Sequence, residues 1–295
     1  MKFMKMRAMA ISHGAATIVN AIATGKGAAF GISLETRATV ELNETGKFSA
    51  KIRDFPDEDT KLMELCAKKV IDYFGLNYGA DIETESNVPI ATGLKSSSTA
   101  ANSVVLATMS AIAKEHGEIK GKVDDLTLIN LGVDAALEAN VTVTGAFDDA
   151  AASYLGGFVV TDNKERKILR SGKMEPLDVL IFVPKEKIYT SKIDVNRTKL
   201  LSREVMIAWE EASKGNLYTA MTLNGLLYSA TLGQDTGIPL AALGAGAISA
   251  GLSGTGPSVV ALTKNNSEKI VEAWSEFDGK IIEAKVNNKK AEILE

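Results

Sequence analysis

The stretch VPIATGLKSSSTAANSVVLATMSAIAKE at residues 88–115 constrains the fold more than any other part of the chain. It turns at Gly93, presents hydroxyl side chains at 96–99, and continues as small and apolar residues without proline or glycine, which predicts a helix. A helix N-terminus offers free backbone N–H groups and the positive end of the helix dipole, and both attract anions. Lys95 adds a positive charge, so the sequence predicts a phosphate site here.

The hydroxyl residues could instead serve only to cap a buried helix, because Ser and Thr are preferred at N-caps. One residue suffices for a cap, whereas four hydroxyl residues stand together here, which favours nucleotide phosphate binding. The sequence contains no G-x-x-x-x-G-K-[ST] motif of the P-loop proteins. TGKGAAFG at 24–31 does not match the dinucleotide-binding fingerprint, because its glycine spacing differs and a β-rich segment follows it.

Length and charge limit the classes of protein that this chain can belong to. With 295 residues it is expected to form one large or two medium domains. Its formal charge of −4 and its pI near 5.5 argue against a nucleic-acid binder, which would carry a basic patch. The single cysteine, Cys66, excludes a disulfide framework and is predicted to be a buried core thiol. With only two histidines beside it, a structural zinc site is not expected.

No targeting or membrane segment is expected in this chain. The N-terminal MKFMKMRAMAISHG is basic and only briefly apolar, so it lacks the apolar core of a signal peptide. No apolar run approaches the roughly 20 residues of a membrane helix. We therefore expect a cytoplasmic protein that binds neither membranes nor nucleic acid.

The hydrophobic pattern predicts a first group of elements before residue 165. Its members are a strand meander over 5–53 punctuated by glycines, a helix at 58–74, a strand at 79–86, the loop and helix at 88–115, a helix at 124–139 capped by Asp124, and a strand, acidic turn, short helix and strand over 141–163. The charged segment 164–176 predicts a junction, and the expected domains are 1–165 and 175–295.

A second group of elements is predicted after the junction. Its members are a strand at 177–184, helices at 198–215 and 216–233, a Gly-rich turn and strand over 247–264, a helix at 266–277 and a strand at 280–287. This order favours a small sheet covered by helices on one face. The last residues, 287–295, are expected to fray.

Paired carboxylates, Asp148 and Asp149, occur in GAFDDAAASYLGG at 145–157. Two acids at a helix start often form a solvated cap, because acids favour that end of the dipole. The flanking residues are small and apolar, however, which predicts a close-packed environment. A buried carboxylate needs a partner such as a metal, a lysine or a substrate hydroxyl. Glu138, eleven positions before Asp149, is a further acid that could face the same space.

A Gly-rich turn, GLSGTGPS at 251–258, is the third stretch with functional potential. It could be only a tight turn between a helix and a strand. Its density of glycine also suits a backbone that closely approaches a ligand or the phosphate loop.

Together, the three stretches resemble the signature motifs of the GHMP kinase superfamily, and the resemblance covers nearly the whole chain. The superfamily's motif Pro-x3-Gly-Leu-x-Ser-Ser-[Ala/Ser] is matched by Pro89, Gly93, Leu94, Ser96, Ser97 and Ser98. Its Gly-rich motif is matched by Gly251, Ser253, Gly254, Thr255, Gly256 and Pro257. The resemblance implies a two-domain α+β fold, with an N-terminal mixed α/β domain like that of ribosomal protein S5. The implied C-terminal domain is a ferredoxin-like sheet with helices on one face.

The resemblance also implies an ATP-dependent small-molecule kinase that uses Mg²⁺. It implies that ATP is bound by Pro89, Ile90, Ala91, Thr92, Gly93, Leu94, Lys95, Ser96, Ser97, Ser98, Thr99, Gly254, Thr255 and Gly256. Mg²⁺ would be held by Ser97 and Glu138. The catalytic Asp of the superfamily lies seven positions before a Gly and about eleven after the Mg²⁺-binding Glu. Asp149 meets both spacings, with Gly156 and Glu138, and Asp148 is the alternative.

The first motif departs from most members of the superfamily, which carry a lysine or arginine on the N-terminal strand. Here His13 falls near that position and Lys26 lies further along. His13 could equally be a core or turn histidine. The N-terminal segment ISHGAATIVNAIATGKGAAFGI at 11–32, together with GLKSSS and GAFDDA, most resembles the archaeal-type shikimate kinases. Those enzymes act in chorismate and aromatic amino acid biosynthesis.

The implied acceptor is therefore the 3-hydroxyl of shikimate, whose carboxylate needs a cation, ideally a bidentate Arg. The candidates are Lys26, Arg197 and Arg203, and the predicted substrate site comprises His13, Lys26, Asp148 and Arg197. The alternatives are a kinase for another small alcohol, such as homoserine or mevalonate, and a non-catalytic sensor of the same fold. A non-catalytic sensor would not need Ser97, Glu138 and Asp149, so the presence of all three argues against that alternative. The expected assembly is a monomer or a homodimer.

Overall fold

The computed structural model describes residues 6–53, 55–119, 121–142, 144–185 and 194–294. The strands are β1 Arg7–Val19, β2 Lys26–Asn43, β3 Phe48–Ile52, β4 Gly79–Ser86, β5 Phe158–Asp162, β6 Lys167–Gly172, β7 Asp178–Pro184, β8 Ser249–Leu252, β9 Val259–Thr263, β10 Gly279–Lys285 and β11 Glu292–Ile293. The helices are α1 Lys61–Tyr73, α2 Ser96–Glu115, α3 Asp125–Glu138, α4 Phe147–Leu155, α5 Val195–Lys199, α6 Ser202–Lys214, α7 Leu217–Leu232, α8 Gly237–Gly244 and α9 Ser267–Trp274, with a 3₁₀ turn at Gly117–Ile119.

The first sheet has the strand order β11-β1-β2-β4-β3, and β5 and β6 extend it from the first half of β2. All its pairs are antiparallel except β3 with β4. The predicted meander over 5–53 is wrong in detail, because β1 and β2 are two long strands that continue through their glycines. Gly14 marks a bulge in β1, where the register shifts between His13 and Ala15.

Helices α1, α2 and α4 pack on the first sheet, α3 packs against all three of them, and α2 is the central helix. It packs against β1 and β2 and is flanked by α1, α3 and α4. The helix predictions at 58–74 and 124–139 are confirmed by α1 and α3, and Asp124 caps α3 by accepting a hydrogen bond from the Thr127 N–H at 2.7 Å. Cys66 is buried in the core, as predicted, and burial raises the pKa of its thiol.

The segment 141–163 differs from its prediction in one respect that matters for the site. No strand forms in the described residues between α3 and α4, and α4 begins at Phe147. Asp148 and Asp149 therefore lie in the first turn of a buried helix and not in a turn between elements. The acids gain the favourable end of the helix dipole there, although they lose contact with solvent.

The second sheet has the order β10-β7-β9-β8, with every pair antiparallel. When its strands are numbered in chain order, their spatial order across the sheet is 4-1-3-2, and α6, α7, α8 and α9 supply its helices, so the predicted ferredoxin-like arrangement is confirmed. Helix α8, which the sequence pattern did not predict, begins with Gly237 and contains Pro239 in its first turn, a position that tolerates proline.

The two sheets share a hydrophobic core, in which Phe30, Val88 and Leu94 join Val179 and Phe182. The segment 164–176, predicted as a junction, contains β6 and so continues the first sheet. The C-terminal residues predicted to fray instead return to the first sheet, where β11 pairs with β1. Across the described part of the chain, none of the helices combines the length and apolar character needed to cross a membrane.

Candidate active site

The phosphate loop, which we define as residues 89–95, connects β4 to the N-terminus of α2. Gly93 has φ +85° and Lys95, the residue before the helix, has φ +66°. No side-chain capping hydrogen bond closes this end of α2. The serines at 96–98 instead line the cavity described below. The alternative that these hydroxyls serve only as caps therefore does not describe this helix start.

The Gly-rich turn at 251–258 contacts the phosphate loop directly. The Ser253 hydroxyl donates to the Gly93 carbonyl at 2.8 Å, and the Ser258 N–H donates to the Thr92 carbonyl at 3.1 Å. On its other side the turn binds the end of β1, because the Asn20 amide donates to the Gly254 carbonyl at 2.8 Å. The turn thus closes one wall of the site, consistent with the close approach expected from its glycines.

Gly93→Ala is expected to lower kcat/KM for the nucleotide at least tenfold and to lower Tm. A Cβ at position 93 would overlap the Ser253 carbonyl oxygen, and the positive φ adds strain for any L side chain. The two loops would have to separate where the phosphates are expected to bind. Steady-state kinetics and thermal unfolding measure both effects.

The matched control for this substitution is Gly75→Ala. Gly75 also has a positive φ, +65°, but nothing lies within 4 Å of the position that its Cβ would take. It therefore carries the backbone strain without the steric overlap. Equal losses of activity in the two variants would contradict the expectation that the contact between the two loops supports nucleotide binding.

A cavity of about 420 Å³ runs between the phosphate loop, the Gly-rich turn and the N-terminus of α4. Lys95, Asp148 and Asp149 belong to its lining. The lining also has apolar side chains, Ile52, Leu62, Met63, Val88 and Ile90, with the acids Glu58 and Asp59. The predicted ATP-binding residues that line it are Ile90, Ala91, Gly93, Lys95, Ser96, Ser97, Ser98, Gly254, Thr255 and Gly256, whereas Pro89, Thr92, Leu94 and Thr99 lie outside the lining.

Asp149 is paired with the lysine of the phosphate loop. Its Oδ2 lies 3.0 Å from Lys95 Nζ, and the two side chains are only 13% and 9% exposed. Its Oδ1 is buried without a hydrogen-bond partner in the structure. Burial raises the pKa of Asp149, and Lys95 opposes that rise. The pair joins α4 to the phosphate loop, so Asp149 faces the loop side of the cavity.

Asp148 faces different partners. Its Oδ1 accepts a hydrogen bond from Asn163 Nδ2 at 2.7 Å, and its Oδ2 lies against the backbone of Gly27 in β2. Burial, followed by the charge of Asp149, raises the pKa of Asp148 to about 7, against the opposing effects of Lys95 and Asn163. A carboxyl that titrates near neutral pH is suited to general-base catalysis.

Glu138, the predicted Mg²⁺ ligand, lies outside the lining of the cavity. It is the last residue of α3, its side chain is 55% exposed, and its carboxylate pairs with Lys69 at 2.7 Å. The spacing to Asp149 did not account for the direction in which the helix end presents this side chain. Among the described residues, no group of three or more Asp, Glu, His or Cys side chains is placed to hold a metal ion.

The predicted substrate residues, except Asp148, also lie outside the cavity lining. His13 is buried within β1, and this burial lowers the pKa of its imidazole, which corresponds to the alternative of a core histidine. Lys26 pairs with Asp162 at 2.7 Å. Arg197 and Arg203 lie exposed on α5 and α6. Within the described lining residues, Lys95 is the single cation.

Several polar residues of the site escaped the sequence analysis. Thr17 and Asn20, at the end of β1, line the cavity and bind the Gly-rich turn. Asn163 follows β5 and contacts Asp148. Thr17 and Asn20 lie in the N-terminal segment but matched no motif position, and Asn163 lies outside all the motifs, so only the fold brings them to the site. A further close approach lies at Gly27 in β2, whose backbone the Asp148 carboxylate packs against.

Comparison with known proteins gives the family of this chain. Residues 61–157 match the GHMP kinases N terminal domain, and residues 240–280 match the GHMP kinases C terminal. In solved structures, mevalonate kinase of Methanococcus jannaschii has a TM-score of 0.72 at 17% identity, covering 97% of this chain and 99% of that chain. Homoserine kinase of Cytophaga hutchinsonii has a TM-score of 0.70 at 16% identity, covering 100% and 99%.

The fold, the motifs and these matches define a kinase, and the chain belongs to the GHMP kinase family. It is 47% identical over 285 residues to a shikimate kinase of Methanothermobacter thermautotrophicus, covering 96% of this chain and 97% of that protein. It is 48% identical over 287 residues to a shikimate kinase of Methanosarcina acetivorans, covering 96% and 95%. The resemblance to archaeal-type shikimate kinases predicted from the sequence is confirmed.

Proposed function

We propose that this protein is an ATP-dependent shikimate kinase, which converts ATP and shikimate to ADP and 3-phosphoshikimate. The observation that carries the reaction type is the single cavity that joins a helix N-terminus, a lysine and a buried acid pair. Shikimate is the proposed acceptor because two shikimate kinases are 47% and 48% identical to this chain over nearly its whole length. The homoserine and mevalonate kinases are at most 19% identical, so they support the fold alone.

ATP is expected to lie along the cavity. Its phosphates would meet the N–H groups at the start of α2 and the Lys95 ammonium, where the helix dipole favours negative charge. Its base would pack against the apolar lining side chains of Leu62, Met63 and Ile90. Shikimate would then occupy the side of the acid pair nearest the end of β1, where Thr17 and Asn20 line the wall.

The donor set suits Mg²⁺ that arrives with the nucleotide. Mg²⁺ usually takes only one or two protein oxygens and fills its remaining positions with phosphate oxygens and water. The hydroxyls of Ser96, Ser97 and Ser98 line the phosphate end of the cavity. We assign Ser97 as the protein ligand, without Glu138. When bound, the ion would neutralise charge on the transferring phosphoryl group.

Asp148 is the proposed general base. The acceptor hydroxyl gives its proton to the Asp148 carboxylate while its oxygen bonds to the γ-phosphorus. The bond from that phosphorus to the β,γ-bridging oxygen breaks, and ADP leaves with the electron pair. Lys95 stabilises charge on the phosphates and holds Asp149 as an anion. Most of the catalysis comes from such positioning and charge neutralisation, because the transfer itself needs little covalent help.

An ADP-release assay with shikimate, homoserine, mevalonate and galactose as separate acceptors tests the proposed function. Turnover is expected with shikimate, with kcat/KM at least about 100-fold above the other acceptors, because a buried polar site rejects ligands that leave its groups unpaired. Mass spectrometry and ³¹P NMR should identify the product as 3-phosphoshikimate. Absence of turnover with shikimate, or preference for another acceptor, would overturn the proposal.

A further inference from the structure

Asn163 contacts the proposed base from outside all three motifs. Its Nδ2 donates to Asp148 Oδ1 at 2.7 Å, and the two residues are 5% and 3% exposed. The backbone N–H of Asn163 donates to the Gly25 carbonyl at 2.8 Å, which ties the residue to the turn between β1 and β2. The amide therefore approaches Asp148 from a fixed backbone position.

Thr161 sets the orientation of the Asn163 amide. Its fully buried hydroxyl lies 2.7 Å from Asn163 Oδ1 and 3.2 Å from the Gly27 carbonyl oxygen. With the amide oxygen turned toward this hydroxyl, the NH₂ group points at Asp148. The reverse orientation would place the amide oxygen against the carboxylate of Asp148, which accepts and does not donate when ionised.

Gly27 restrains the second oxygen of the same carboxylate. A Cβ at position 27 would overlap Asp148 Oδ2, so this oxygen lies directly against the backbone of β2. Asp148 is thus held between a hydrogen-bond donor on one side and a strand on the other. Asp149 has neither of these contacts, because its fixed partner is Lys95.

We propose that Asn163 is a positioning residue for phosphoryl transfer, which fixes the Asp148 carboxylate as an oriented anion ready to accept the proton of the acceptor hydroxyl. This inference rests on the proposed kinase function and adds to it a residue outside the motifs. Thr161 acts one step further away, by orienting the Asn163 amide.

Asp149, Lys95 and Asn163 act on the charge of Asp148. Asp149 on the same helix disfavours the anion, as burial does, whereas Lys95 from the phosphate loop and the Asn163 amide favour it. Tyr228 of α7 also feels the Asp148 charge, which helps to raise the pKa of the phenol. Without the Asn163 donor, Lys95 and the backbone N–H of Asp149 are the groups left to favour the anion against burial and the charge of Asp149. The pKa of Asp148 would then rise, and activity would be lost at a higher pH as the base becomes protonated.

Asn163→Ala is expected to lower kcat roughly 10- to 100-fold, because a hydrogen bond to a charged group is removed. KM for ATP should change less than about twofold, since the phosphate loop is untouched. The acid limb of the pH profile of kcat/KM should move to higher pH. A residue with only a structural role would lower Tm without moving that limb.

Two further variants and a control sharpen the test. Thr161→Val should shift the acid limb in the same direction by a smaller amount, and Thr161→Ser, which keeps the hydroxyl, should restore the wild-type profile. They also provide the test if Asn163→Ala does not fold. Asp162→Asn is the control, because this neighbouring side chain pairs with Lys26 outside the cavity. Unchanged pH profiles in folded Asn163→Ala and Thr161→Val proteins would overturn the inference.

A direct titration separates this inference from the proposed function. ¹³C NMR of protein labelled at Asp carboxyls reports the pKa of Asp148, and the signal is assigned by its loss in Asp148→Asn. A higher pKa in Asn163→Ala than in wild type supports the inference, and an equal pKa contradicts it, whether or not shikimate is turned over. Lack of turnover by the wild type contradicts only the proposed substrate.

Discussion

Asp148→Asn should lower kcat by roughly 10²- to 10⁴-fold, the usual contribution of a general base. Asn keeps the shape of the side chain but cannot accept the proton of the acceptor hydroxyl. ATP binding should be nearly unchanged, because the phosphate loop and its Lys95–Asp149 pair remain. Steady-state kinetics with saturating substrates and calorimetric titration with a non-hydrolysable ATP analogue measure the two quantities separately.

The neighbouring acid provides the matched comparison. Asp149→Asn removes the anion that pairs with Lys95, so its main effect should fall on KM for ATP and on stability. The spacing to Gly156 favours Asp149 as the catalytic acid, whereas the structure commits that residue to Lys95. If Asp149→Asn abolishes turnover and Asp148→Asn retains it, the two roles are reversed.

The same Asp148→Asn variant should be more stable than the wild type above neutral pH. Asp148 titrates at about 7 when folded, against about 3.8 when unfolded, so the folded protein binds more protons between these values. Stability of the wild type therefore falls as pH rises from about 4 to about 7. The uncharged Asn avoids this loss. Thermal unfolding at pH 8 should give a higher Tm for the variant, and the difference should vanish below pH 4.

Local sequence signals predicted those parts of the site that are formed by a single continuous segment of the chain. The phosphate loop and α2 follow from Gly93, the hydroxyl run and the long stretch without helix breakers. The burial of the acid pair followed from its small apolar neighbours, and α4 confirms it. The element order of the second half favoured a small sheet with helices, and the ferredoxin-like arrangement was implied by the family resemblance.

Contacts between distant segments were beyond sequence reasoning. Glu138 was assigned through the family resemblance and its spacing to Asp149, but the direction of its side chain depends on how α3 packs beside α1, which brings Lys69 to it. The glycines of the N-terminal segment were expected to separate strands, whereas Gly27 lies within β2 and Asp148 packs against it. The C-terminal residues were expected to fray because their partner, β1, lies at the other end of the chain.

Lys95→Met should be the second most damaging substitution, with kcat/KM for ATP lowered at least about 100-fold. Met keeps the length of the side chain and the left-handed backbone of position 95, but it removes the single cation among the described residues of the cavity lining. The phosphates then lose a fixed positive charge. Asp149 also loses its partner in a buried position, and breaking such a pair typically costs about 3–5 kcal/mol. Thermal unfolding and steady-state kinetics measure the two losses.

The double variant Lys95→Met/Asp149→Asn separates these two effects. With no charge left unpaired, much of the lost stability should return, whereas the loss in kcat/KM for ATP should persist because the ammonium is still missing. Lys69→Met, which removes the cation of the exposed pair with Glu138, is the control and should leave both quantities near wild type. Recovery of activity in the double variant would mean that Lys95 serves only to neutralise Asp149. If the loss in kcat/KM for ATP persists in the double variant, the Lys95 ammonium acts on the phosphates independently of Asp149. It would then belong to the groups that stabilise the transferring phosphoryl group.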